Sequence, residues 1–118
     1  MRNDGVYLGY IAESIELIEE YLRDEDGDSE RLFFADRRTQ DAVLRRMETL
    51  YDAAGHLSDA LKRRHPEIAW PQIAGFRNIL AHAYATIELE RVWRVVLVRL
   101  PELRGMVDEE IDGPLPPA

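Results

Sequence analysis

The sequence predicts an all-α protein, an antiparallel bundle of four to five helices that pairs into a homodimer. Three observations carry the fold class. Apolar residues recur at steps of three and four along most of the chain. No segment alternates apolar and polar residues as a half-buried strand does. Breakers such as Asp24-Glu25-Asp26-Gly27-Asp28, Pro66 and Pro101 divide the periodic stretches. At 118 residues the chain can build one hydrophobic core and not two. Residues 1–112 are expected to form a single helical domain, and the Pro-rich tail 113–118 is expected to be disordered.

In the first helix Leu8, Ile11, Ile15, Ile18 and Leu22 form one apolar stripe, with acidic residues on the opposite face. The acidic stretch that begins at Asp24 stops it, and Ser29 is the expected N-cap of the next helix. Leu32, Phe33 and Phe34 suit a separate short helix. Val43, Met47, Leu50, Ala54, Leu57 and Leu61 then repeat by four and three, which predicts one long helix running to His65 before Pro66. Gly55 lies inside it, and close approach of a neighbouring helix would explain a residue that costs about 1 kcal/mol against alanine. Trp70-Pro71 opens a third helix, because proline is tolerated in the first turn. Ile73, Phe76 and Leu80 face inward, and the helix ends near 82–84. Thr86 is the expected N-cap of a fourth helix, in which Val92, Trp93, Val95, Val96, Leu97, Val98 and Leu100 are so uniformly apolar that burial on two sides is expected, by the core and by a second subunit. Pro101 kinks or restarts the chain into a last helix reaching Ile111.

The composition excludes several functions. Cysteine is absent, so there is no disulfide framework, thiol catalysis or cysteine-bound zinc, in keeping with a reducing cytoplasm. No apolar run approaches the roughly 20 residues of a membrane span. The net charge of −8 is concentrated between Glu13 and Glu30, where nine acidic residues accompany Arg23 alone; the remainder sums to zero and carries basic clusters at Arg37-Arg38, Arg45-Arg46 and Lys62-Arg63-Arg64-His65. That balance argues against loose binding to duplex DNA, whose affinity comes from phosphate neutralisation, but not against a small site that engages a few phosphates. The spacings of His56, His65 and His82 match no metal-ligand pattern, and the acidic loop lacks the ligand spacing of an EF-hand, so no metal and no cofactor is expected. Trp70 and Trp93 read as core anchors, with a place near the cleft as the alternative for Trp70, and Tyr7, Tyr10 and Tyr21 read as packing or surface residues.

Chemistry concentrates in Arg77-Asn78-Ile79-Leu80-Ala81-His82, with Tyr84 two places on. A guanidinium that holds a phosphate and an imidazole that moves a proton near neutral pH are the groups needed to cleave RNA without a metal, because RNA carries its own nucleophile in the ribose 2′-hydroxyl. Asn78 and His82 are four apart and share a helix face. Arg77 and His82 are five apart, which turns them about 140° from one another. A site using both is easier to build if a second copy supplies part of it across a two-fold axis. The competing reading has Arg77 paired with a carboxylate and His82 capping the helix C-terminus.

The string from Trp70 through Arg77, Asn78 and His82 to Tyr84, followed by Ile87 and Val92-Trp93, resembles the signature of HepT-like proteins of the HEPN superfamily. The resemblance extends upstream over 36–43 and the 62–70 connection. It implies a dimerising helical bundle with its active site in a cleft between protomers, acting as a metal-independent endoribonuclease toxin. Arg77 and His82 would be the catalytic pair and Asn78 their polar companion. Tyr84 matches the tyrosine that the cognate antitoxin, an MNT-type nucleotidyltransferase, modifies with AMP. One departure stands out: Tyr51-Asp52-Ala53 occupies the place of a Gly-Glu-Ala-type sequence, so packing near the cleft is expected to differ. The alternative function is a non-catalytic helical subunit that docks a nucleotidyltransferase or a nucleotide.

Overall fold

The computed structural model describes residues 3–112; the expected disordered tail lies outside the described residues. The helices run α1 (Asp4–Tyr21), α2 (Ser29–Ala35), α3 (Arg37–Gly55), α4 (Asp59–Arg64), α5 (Trp70–Ala83), α6 (Leu89–Arg94) and α7 (Leu100–Asp112), with no strand among the described residues. A 3-10 turn (Tyr84–Thr86) follows α5, and a π-helical turn (Val95–Arg99) joins α6 to α7. α3 packs along α1 and α5, α7 returns along α1, and α2 bridges α3 and α6.

The predicted stripes are the core. Leu8, Ile11, Ile15, Ile18 and Leu22 are buried, as are Val43, Met47, Leu50, Ala54, Leu57 and Leu61. Trp93 stacks on Phe33 at 5.4 Å and meets Phe34 edge-on at 6.1 Å, which fixes α2 against α6. The domain measures 51 × 32 × 21 Å, so it is about two helices thick. Most helices therefore keep one side in the core and another toward solvent.

Several boundaries differ from the expected ones. α2 is capped by Asp28, whose carboxylate accepts from the Arg31 amide at 3.0 Å; Ser29 is the first helical residue and donates to the Leu22 carbonyl at 2.5 Å. The acidic loop is ordered by the Asp24 carboxylate, which accepts from the amides of Asp26 and Asp28, and Gly27 turns it at φ +76°.

The expected long second helix is two. α3 ends at Gly55, and Ser58 caps α4, accepting from the Leu61 amide. What breaks it is a tie to the other end of the chain: the Asp4 carboxylate accepts from the Ser58 amide at 2.8 Å and from its hydroxyl at 2.6 Å. The side-chain rhythm continues across the break, which is why periodicity alone reads as one helix.

Thr86 is not a cap. Its hydroxyl donates to the Ala83 carbonyl, and α6 starts after Glu88, which makes no capping hydrogen bond. The last helix, α7, begins at Leu100, one residue before Pro101. Proline has no N–H for the carbonyl four residues back, and its ring crowds that turn. The helix widens instead, with the Leu100 amide bonding the Val95 carbonyl five residues away. Of the expected apolar surface here, Val92, Val95 and Leu100 are buried, whereas Leu97 and Val98 are 58% and 44% exposed.

Candidate active site

α5 is built to present both of its sides. Pro71 stands in the first turn, and Ile73, Phe76 and Leu80 seat one stripe in the core, as their spacing predicts. Gln72, Arg77, Asn78, Ala81 and His82 remain exposed. Across from them α3 carries Arg45, Glu48, Thr49 and Asp52, a polar stripe at steps of three and four on the side away from Val43, Met47 and Leu50. Between the two helices lies an open groove of about 450 Å³, lined by these four residues together with Arg77, Asn78, Ala81 and His82.

The groove brings Arg77, Asn78 and His82 together within one chain. The arginine side chain folds over the end of α3. There its Cδ and Nε would lie 3.6 and 3.8 Å from a Cβ added at Gly55. Those are ordinary contact distances, so close approach does not require glycine at this position.

Asp52 holds the arginine. Its Oδ1 accepts from NH2 of Arg77 at 2.7 Å and from Nε at 3.1 Å. Both side chains are about half exposed, so the pair contributes at most about 1 kcal/mol and an incoming phosphate can compete for the guanidinium. Arg45 is likewise balanced by Glu48 at 3.4 Å. Asn78 and His82 make no hydrogen bond or ion pair among the described residues. His82 stands in the last turn of α5, where the helix dipole favours a cation. The arrangement can thus do two things: bind an anion at Arg77 and exchange a proton at His82. Sequence reasoning missed Asp52, Glu48 and Thr49 as groove residues, although the polar stripe on α3 was there to find.

Tyr51, expected to disturb packing near the cleft, turns away from the groove. It is 2% exposed and meets Phe76 edge-on at 5.1 Å on the core side. The Tyr84 backbone lies in the 3-10 turn directly after α5, while its side chain, with the AMP-modification expectation, lies outside the described residues.

The other histidines hold structure. His56 caps the C-terminus of α3, bonds the Asp52 carbonyl at 2.9 Å and stacks on Tyr7 at 5.0 Å. His65 ends α4 as expected of a helix-end residue but is buried, not on the surface. Its Nε2 meets Glu110 at 2.6 Å and its Nδ1 meets Glu67 at 3.1 Å, while Arg64 clamps Glu110 from the other side at 2.6 Å. Burial disfavours the imidazolium, yet the hydrogen bonds and charges of Glu110 and Glu67 outweigh it and raise the His65 pKa. The Arg64 hydrogen bond, opposed by burial and aided by His65, lowers that of Glu110. His65, Glu67 and Glu109 bring potential ligand atoms within 4.8 Å of one another, the one such group among the described residues. A protonated His65 already satisfies the carboxylates around it. Trp70 closes this corner by donating its indole N–H to the carbonyls of Lys62 and His65.

Residues 11–110 match the family described as Ribonuclease HepT-like. A protein of Thermococcus cleftensis named "Probable ribonuclease HepT" is 39% identical over 92% of this chain and 96% of its own length. "Gamma-glutamylcyclotransferase and putative RNase" of Methanocaldococcus jannaschii is 38% identical over 95% of this chain, which spans about half (51%) of that longer protein. A "Putative RNase" of Caldanaerobacter subterraneus is 28% identical over 92% of the chain and 95% of its own length. No solved structure matches the chain significantly.

Proposed function

This chain belongs to the HepT-like ribonuclease family, and from that membership and the groove together we propose that it is a metal-independent endoribonuclease. The observation that carries the reading is the groove itself. Asn78 and His82 stand unpartnered among the described residues, beside an arginine whose ion pair is weak enough to exchange for a phosphate. Arg77 binds the scissile phosphate through its forked N–H groups and stabilises charge building on the equatorial oxygens. The 2′-oxygen attacks phosphorus and the bond to the 5′-oxygen breaks, leaving a 2′,3′-cyclic phosphate and a 5′-hydroxyl. His82 takes the proton from the 2′-hydroxyl or delivers one to the departing 5′-oxygen. Asn78, one turn before His82, orients the imidazole or the phosphate.

In the same proposal the protein is the cytoplasmic toxin of a toxin–antitoxin pair, and an MNT-type nucleotidyltransferase neutralises it by adding AMP to Tyr84. The position of Tyr84 just past the last turn of α5 supports this, since a bulky anionic group there would repel RNA from the groove. The homodimer is supported by the exposed Leu97 and Val98, an apolar surface that a second copy would cover. One observation favours the alternative of a silent docking subunit: Arg77 is already paired with Asp52.

Expression of the chain without its antitoxin separates the two. The nuclease reading expects growth arrest that His82→Ala relieves while the variant stays folded and dimeric. Arrest that persists in the folded variant would sink it.

A further inference from the structure

We propose that a second pocket, on the opposite side of α5 from the groove, is a binding site for a phosphate group, carried either by a free nucleotide or by a nucleic-acid strand. The pocket has a volume of about 180 Å³, and its polar lining is Tyr51, Gln72, Arg91, Arg94, Arg99 and Glu102. Three guanidiniums face one carboxylate there, in a protein whose net charge is −8. Glu102 sits 3.3 Å from Arg99, leaving the other two arginines without a carboxylate among the described residues. Arg91 lies over the Phe76 ring at 5.2 Å, and Arg94 has no ion pair or hydrogen bond among the described residues.

The π-helical turn is what aligns these arginines. In an unbroken α-helix Arg91 and Arg99 would stand about 80° apart. The widened turn takes up one additional residue, which sets Arg99 back by about 100° and close to the line of Arg91 and Arg94. Arg99 is then held in place from two sides, by Glu102 and by a 3.2 Å hydrogen bond to Oε1 of Gln72. That bond turns the Gln72 amide so that its NH₂ is left as a donor.

Tyr51 adds a further donor to the pocket. Its ring is buried, while its hydroxyl lines this pocket, makes no hydrogen bond among the described residues and is open to solvent there. Burial pushes the phenol up to about 12, against the pull of Arg99 and with Glu102 adding to the rise, so the group remains an O–H donor. Tyr51, Gln72 and the arginines together supply donors and almost no acceptors. A tetrahedral phosphate, with several acceptor oxygens and negative charge, fits that set better than a planar carboxylate with two. Ile73, Phe76 and Leu103 wall the other side, apolar surface against which a sugar or base can lie.

The test is calorimetric titration of the full-length, unmodified protein at low salt with inorganic phosphate, with AMP, and with a short 2′-O-methyl RNA whose nucleophile is blocked. The proposal expects at least one probe to bind, with affinity reduced about tenfold or more by Arg94→Ala and a few-fold by Tyr51→Phe. The loss caused by Arg94→Ala should persist in an Arg77→Ala background, where the groove no longer contributes to binding of phosphate or AMP. Binding of AMP but not RNA assigns the pocket to a free nucleotide. RNA binding that depends on Arg94 as well as Arg77 assigns it to the strand. Arg94 is exposed and Tyr51→Phe keeps the ring packed, so neither variant threatens the fold. No binding of any probe at millimolar concentration, or binding indifferent to Arg94→Ala, overturns the proposal.

Discussion

The two sides of α5 use the same residue types in opposite ways. On the groove side every arginine is matched by a carboxylate, Arg77 by Asp52 and Arg45 by Glu48, and the unsatisfied groups are neutral or titratable, Asn78 and His82. On the pocket side the arginines outnumber the carboxylates, and a phenol with a buried ring opens its hydroxyl into the pocket. The groove is suited to exchange, because a weak ion pair beside a histidine would let an anion enter and leave. The pocket is suited to retention, because fixed donors in a partly apolar wall favour one bound anion. The sign and balance of charge around an arginine therefore say more about its work than the arginine itself.

The sharpest way to break this comparison is at His82. His82→Ala should lower RNA cleavage by about 10²- to 10⁴-fold, the usual contribution of a general acid or base, with thermal stability unchanged. Equal cleavage by the variant would move the chemistry elsewhere. At Tyr51, which the core shares with the pocket, Tyr51→Ala should cost about 3–5 kcal/mol of unfolding free energy. Tyr51→Phe keeps the ring against Phe76 and removes an unpartnered hydroxyl. Its stability in denaturant should stay within about 1 kcal/mol of the wild type, and a larger loss would mean that the hydroxyl is bonded in solution.

The His65 network anchors the wall from which Ile68 and Ala69 line the pocket. The raised pKa of His65 contributes stability that is complete below its ordinary 6.5 and is lost as pH rises through the folded value. The lowered pKa of Glu110 contributes stability that is present above 4.5 and is lost as pH falls through the folded value. The melting temperature of His65→Gln should therefore fall furthest below wild type between those two values and converge toward it in alkali. A deficit independent of pH would show that packing, not charge, holds the corner. The smallest effect is expected at Asp52→Asn, which should change stability by less than about 1 kcal/mol because the Arg77 pair is half exposed. Freed of its partner, Arg77 should then bind uncleavable RNA more tightly in direct titration.

Much of this was legible in the sequence. Period-three-and-four stripes named the core residues of α1, α3 and α5, because a buried helix face must be apolar whatever its neighbours are. Arg77, Asn78 and His82 stood out because they lie close in sequence on one exposed stretch. Their agreement with the family signature made the reading specific. What escaped depends on contacts between distant positions. The break at Gly55 comes from Asp4 reaching Ser58, more than fifty residues on. Asp52 was read only as a departure from a pattern, because nothing local says that it faces Arg77. The pocket arginines cannot be grouped without the register shift of the π-helical turn, and Pro101, which causes that shift, reads in sequence as a kink. Tyr51 looked like an intruder in the cleft. Its direction is set by the helix phase of Leu50 and Ala54, and one residue of phase separates the groove from the core.

The most direct test of the central claim is single-turnover cleavage of 5′-labelled RNA in EDTA by the purified protein, confirmed by mass spectrometry to carry no AMP on Tyr84, beside His82→Ala prepared identically. The groove geometry predicts products ending in 2′,3′-cyclic phosphate from the wild type and a near-complete loss in the variant. Cleavage that is equal in both, or that requires added metal, would contradict it.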